Sequence, residues 1–66
     1  MNLRQCEHKK VRIVDKDGKQ YKGYVGDYIW ADDNENNLES IIVDFPDGSV
    51  AEFYEKDIEL IEILGE

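Results

Sequence analysis

The sequence predicts an all-β domain: one strongly bent, five-stranded antiparallel barrel. Three observations predict it. First, two Asp-Gly turns, Lys16-Asp17-Gly18-Lys19 and Pro46-Asp47-Gly48-Ser49, each stand between runs of β-branched and aromatic residues. A glycine there supplies the positive φ that a tight hairpin needs. Second, polar and apolar residues alternate through Lys10-Val11-Arg12-Ile13 and again through Val50 to Tyr54, the period of a strand with one buried face. Third, no segment of helical length carries a 3.6-residue apolar repeat, and short strands with tight turns are the signature of a small barrel or sandwich.

The elements follow in order. Lys10 to Val14 is the first strand. Gln20 to Trp30 is the second, long one, with Tyr21, Val25 and Ile29 on one parity and Gln20, Lys22, Tyr24 and Tyr28 on the other. Gly23 and Gly26 lie inside it and mark a bulge or a sharp bend, the means by which a sheet curls. Ala31 to Glu39 is polar, aperiodic and rich in turn formers, so it reads as an exposed loop. Ser40 to Phe45 is a nearly continuous apolar run, as a central strand is. Val50 to Tyr54 is the fourth strand. Glu55-Lys56-Asp57 is a short reversal of one 3₁₀ turn, and Ile58 to Leu64 is the fifth strand. Residues 1–8 precede the barrel of residues 9–66, either as a short helical turn covering one end or as a frayed arm.

The fifth strand carries Leu60, Ile61, Ile63 and Leu64, which puts apolar side chains on both of its faces. Either the barrel closes over it or a second copy covers it, because exposed apolar edges invite pairing. These four residues are the candidate oligomer edge.

A chain of 66 residues holds one domain, since so small a protein buries only about 60% of the surface its unfolded chain exposes. An apolar fraction of 41%, including four Tyr, two Phe and one Trp, is enough for a compact core. Cys6 is the single cysteine, so an internal disulfide is excluded and a reducing, cytoplasmic compartment fits. Apolar runs such as Ile41-Ile42-Val43 fall far short of a membrane span, and no secretion signal is read at the amino terminus.

The net charge of −8 disfavours long-range attraction to nucleic acid or anionic lipid. The charge is unevenly placed. Residues 1–22 hold seven basic and three acidic side chains, a balance of +4, whereas residues 23–66 hold one basic residue, Lys56, and thirteen acids, a balance of −12. Either the two regions neutralise each other within the fold or between subunits, or the basic hairpin meets an acidic partner; the first is the simpler reading.

The order of strands and turns resembles the Sm-like (LSm) family of SH3-like barrels. Gly23-Tyr24-Val25-Gly26-Asp27-Tyr28 looks like the family's first motif, which curves the second strand. Phe53-Tyr54-Glu55-Lys56-Asp57-Ile58-Glu59-Leu60-Ile61 resembles the second, which closes the barrel. The resemblance implies a barrel able to join edge to edge into rings, fourth strand to fifth. Its typical RNA contacts, a polar and an aromatic residue after the second strand and an Arg-Gly pair before the fifth, fall here near Asp32 and Asp33 and at Tyr54 and Glu55. Carboxylates at those places repel a phosphate backbone.

No catalytic constellation is present. Cys6 and His8 are the only residues of their kinds. Cys6-Glu7-His8 offers two metal ligands at most, without a second pair for a tetrahedral site. Asp32, Asn34 and Asn36 copy three positions of a calcium loop, but Asn37 replaces its glycine and Val43 its bidentate glutamate. Gly23 and Gly26 lie in a strand and open no phosphate-binding helix. No cofactor and no metal are expected.

The remaining candidate is a surface of Lys10, Arg12, Lys22 and Tyr24, which the alternation sets on the outward parity of the first two strands. Such a set suits a protein interface, a stacked single strand of RNA, or simple solubility. The reading is a non-catalytic binding module that acts through protein contacts or self-assembly, with an RNA-binding Sm-like protein using the basic first hairpin as the alternative.

Overall fold

The computed structural model describes residues 2–65. Five antiparallel strands make up one sheet: β1 (Lys10–Asp15), β2 (Gln20–Ile29), β3 (Ser40–Asp44), β4 (Val50–Tyr54) and β5 (Ile58–Ile63). The spatial order is β4-β3-β2-β1-β5, so the last strand crosses back to lie beside the first. The only helical pieces among the described residues are 3₁₀ turns at Leu3–Cys6, Ala31–Asp33 and Glu55–Asp57. Among the described residues no helix is long and apolar enough to cross a membrane.

The two hairpins share one local design. The Asp15 N–H donates to the Lys19 carbonyl at 3.0 Å and the Gly18 N–H returns to the Asp15 carbonyl at 3.0 Å. In the second, the same pair of bonds joins Phe45 to Ser49 and Gly48 to Phe45, each at 2.9 Å. Gly18 and Gly48 hold φ of 84° and 90°, a conformation costly for any residue with a Cβ.

The long second strand bends where its glycines lie. Tyr24 and Val25 pair with Asp44 and Val43, and the register then slips so that Asp27 opposes Ile42, leaving Gly26 as the extra residue of a bulge. The bulge reverses the parity of all that follows, because side chains alternate with a period of two. The expected sidedness of the second half of the strand is therefore corrected. Tyr28, read as outward, is buried, and Ile29, read as inward, is only half-buried. Gly23 meets a different demand: a Cβ there would lie 2.6 Å from Val43 Cγ1 and 2.7 Å from the Asp44 carbonyl oxygen, so the strand can curve against β3 only without a side chain.

The core is formed by Val11 and Ile13 of β1, Val25 and Tyr28 of β2, Ile41 and Val43 of β3, Phe53, and Ile58. Leu3 and Cys6 complete it. Leu3 is fully buried within the 3₁₀ turn Leu3–Cys6, which packs against the sheet. The segment before β1 is held to the sheet at the bulge: the His8 N–H donates to the Val25 carbonyl at 2.7 Å and the Val25 N–H to the Lys9 carbonyl at 2.9 Å. Tyr21 packs edge-on against Phe53 with ring centres 5.0 Å apart and extends the core toward Phe45. No buried side-chain nitrogen or oxygen among the described residues lacks a hydrogen-bond partner.

The sheet is not closed by hydrogen bonds among the described residues. Its pairing ends at β4 on one side and at β5 on the other, and no ladder joins these two strands among the described residues. The Glu55–Asp57 turn carries the chain from one edge to the other, where β5 takes its partners from β1 alone.

Candidate binding face

The hairpin register brings the sequence-predicted residues together. Lys10 opposes Tyr24 and Arg12 opposes Lys22, so the four side chains form one square on the outward face of β1 and β2. The square lies within a larger grid. Leu64 donates its N–H to the Lys10 carbonyl at 2.8 Å, and Tyr24 opposes Asp44, so that Leu64, Lys10, Tyr24 and Asp44 stand in one row across the sheet. Glu62, Arg12 and Lys22 form the next row.

Within this grid the cations are not equivalent. Arg12 is already engaged: its Nε donates to the Glu62 carboxylate at 2.6 Å and its Nη1 to the Gln20 side-chain oxygen at 3.2 Å. Lys16 bridges to Glu59 at 3.2 Å. Arg4 lies over the Trp30 ring at 4.6 Å and Lys19 over the Tyr21 ring at 5.5 Å. The basic first hairpin and the acidic fifth strand thus neutralise each other within the fold, at Arg12 and Lys16. Lys10 and Lys22 have no ion pair and no ring contact among the described residues, and both are exposed.

A groove of about 460 Å³ opens beside these two lysines. Tyr24, Phe45, Pro46 and Leu64 line it together with Val11 and Gly23, and Asp44 is the single acid on its lining among the described residues. A second, smaller recess of about 310 Å³ continues past Lys10 toward His8 and Gly65. His8, held at a φ of 63°, stacks on Tyr24 with centroids 6.4 Å apart and planes inclined by 10°. Tyr24 is 41% exposed and, with Lys10 and Leu64, lines both hollows.

Phe45 and Pro46 were not singled out from the sequence as site residues. Their signal is an aromatic and a proline placed at a turn, where neither is needed to end a strand when Asp47-Gly48 already does so.

The candidate oligomer edge divides. Ile61 opposes Ile13 and packs, partly buried, against the core. Leu60 and Ile63 are 44% and 37% exposed, and Leu64 lines the groove. The four therefore do not form one patch, because the period-two alternation of β5 sends Ile61 and Leu60 to opposite faces.

The acidic loop is organised by its own hydrogen bonds. Asn34 donates through its amide to the Leu38 carbonyl at 2.7 Å and to Ser40 Oγ at 3.1 Å, while Asn36 Oδ1 accepts from the Leu38 N–H at 3.1 Å. Ser40, fully buried, donates to Glu52 at 2.7 Å. Two of the three side chains that matched calcium-loop positions are spent on this scaffold. Among the described residues no three His, Cys, Asp or Glu side chains cluster closely enough to hold a metal ion. No protein-family model, curated protein or solved structure matches the chain.

Proposed function

We propose that this chain is a non-catalytic binding module of Sm-like barrel type that works through protein contacts in the cytoplasm. The observation that carries the reading is the apolar groove beside Lys10 and Lys22, two cations left over after the other basic side chains of the first hairpin are spent on internal partners. Ligand sites are concave, mainly apolar and furnished with a few polar groups, and their usual volume range is about 300–1,000 Å³. Support for the Sm-like reading comes from the strand order and from the bend at Gly23 and Gly26.

Self-assembly through the β4 and β5 edges has a charge problem built into it. Both edges present carboxylates, Glu52 on one and Glu59 and Glu62 on the other, and like charges brought opposite each other in a sheet are destabilising. Glu59 and Glu62 are offset by Lys16 and Arg12; Glu52 is held by two hydroxyls and, among the described residues, by no cation. The groove is the more favourable surface for contact.

RNA binding by the same face is the second reading, favoured by one observation: Tyr24 is exposed next to two unpaired lysines, the arrangement on which bases stack. Panning a displayed peptide library on the wild-type domain and on the Lys10→Glu/Lys22→Glu variant decides between the two. Peptides retained by the first and lost by the second support the protein-contact reading. Recovery of none, together with a steeply salt-dependent complex with single-stranded RNA that the same variant abolishes, replaces it with the alternative.

A further inference from the structure

The groove carries enough chemistry to specify its occupant, and the inference rests on the protein-contact reading above. We propose that it takes a short extended peptide segment bearing an aliphatic or aromatic side chain next to a carboxylate, the side chain entering between Tyr24, Phe45 and Leu64 and the carboxylate lying between Lys10 and Lys22. The argument begins with position. Lys10 and Lys22 are diagonal neighbours on one face of the β1–β2 ladder, and such diagonals are about 7–8 Å apart at the backbone, within reach of one shared anion for two flexible lysine side chains. The row from Leu64 through Lys10 and Tyr24 to Asp44 spans three strand spacings, roughly 14 Å in all, the length of about four extended residues.

Charge then selects the class of anion. Asp44 closes the row at one end, and Glu62 flanks Arg12 in the row beside it. A single carboxylate seated between the two lysines meets neither. A polyphosphate strand extending from the same point in either direction meets one of them, in a molecule whose whole field is already negative. The apolar walls give the remainder of the preference, because they reward a buried side chain that a ribose-phosphate backbone does not supply.

The test uses the whole domain, isotopically labelled, with three acetylated, amidated hexapeptides: Ala-Glu-Leu-Phe-Glu-Ala, its Glu→Gln counterpart, and a counterpart in which Leu and Phe are Ser. Amide shifts are followed by NMR, with a uridine hexanucleotide as a fourth ligand. The acidic-apolar peptide should move Lys10, Gly23, Tyr24 and Phe45. Its affinity should fall about three- to fivefold for each lysine replaced by Ala, the size of an exposed ion pair, and by a similar factor in the Gln peptide. Because the Gln and Ser peptides are read on the wild-type domain, misfolding of a variant does not blur the outcome. Equal binding of the Glu and Gln peptides in the groove overturns the carboxylate assignment while the protein-contact reading stands. Perturbation by the oligonucleotide alone overturns both.

Discussion

Arg12 of β1 and Glu62 of β5 are joined across the outward face of the sheet by a 2.6 Å bond from the guanidinium Nε to the carboxylate. It ties the first strand to the last, 50 residues apart, and it takes Arg12 out of the set of cations open to a partner. The side chains remain 25% and 47% exposed, so water screens the pair. A double-mutant cycle of Arg12→Ala and Glu62→Ala, followed by urea unfolding, should give a coupling of about 0.5–1 kcal/mol that shrinks at high salt. In ligand titrations Arg12→Ala should change affinity less than Lys10→Ala or Lys22→Ala. A larger loss at Arg12 would mean that the bond to Glu62 opens when ligand binds.

Gly23 and Gly26 differ in what an added methyl group would strike. At Gly23 it would meet Val43 Cγ1 and the Asp44 main chain, both fixed in the sheet, whereas at Gly26 it would meet the Asp44 carboxylate at 2.6 Å, the free end of a movable side chain. Gly23→Ala should cost about 1–3 kcal/mol or prevent folding, the range for overpacking a close-fitted site. Gly26→Ala should cost less, and Asp44→Ala should relieve most of that cost. Equal destabilisation by the two glycine variants in chemical denaturation would contradict this division.

What was legible in the sequence was what is local. Asp17-Gly18 and Asp47-Gly48 announce their turns within four residues, and the first turn fixes the register that sets Lys10 beside Tyr24 and Arg12 beside Lys22. The burial of Tyr28 was not legible, because a glycine shows that a bulge is permitted but only the pairing with β3 shows on which residue the parity reverses. The capture of Arg12 by Glu62 depends on β5 crossing to β1, a contact between the two ends of the chain that no short window contains. The open edges belong to the same class: local pattern gives five strands, and whether the edge strands β4 and β5 meet is settled by long-range geometry.

Acid should weaken both hairpins through their aspartates. The Asp15 carboxylate is held below its ordinary value near 3.8, chiefly by the hydrogen bond it accepts from the Lys19 N–H, with the Asp17 N–H and Tyr21 hydroxyl adding to it. Asp47 is held below the same value by the hydroxyl and N–H of Ser49. A carboxyl group whose folded pKa is depressed contributes its stability in full above the unfolded value and loses it as pH falls through the folded one. The stability advantage of the wild type over Asp15→Asn/Asp47→Asn should therefore be constant above about pH 5 and shrink below pH 3.8, measured as the difference in Tm between the two proteins. Taking the difference cancels the general relief of self-repulsion that acid brings to so negative a chain. An advantage that does not change with pH would mean that the ionised carboxylates add nothing to the turns, and one that grows on acidification would mean that their folded pKa values are raised.

The amino-terminal turn should prove part of the folding unit. Leu3 is fully buried and Cys6 nearly so, both inside the cluster formed by the strands, and burial also pushes the Cys6 thiol above its ordinary pKa. Leu3→Ala removes a large side chain from a filled site and should cost about 2–5 kcal/mol. A domain of this length has roughly 3–10 kcal/mol in total to lose, so the variant should be partly unfolded or close to it. Cys6 reports the same event chemically, because the thiolate is the reactive form and the buried thiol supplies little of it. Aromatic disulfide reagents should label the native protein slowly, the urea-unfolded chain rapidly, and the Leu3→Ala variant at a rate between the two. Fast labelling of the wild type, with stability unmoved by Leu3→Ala, would mean that the turn is an appendage detached from the core in solution.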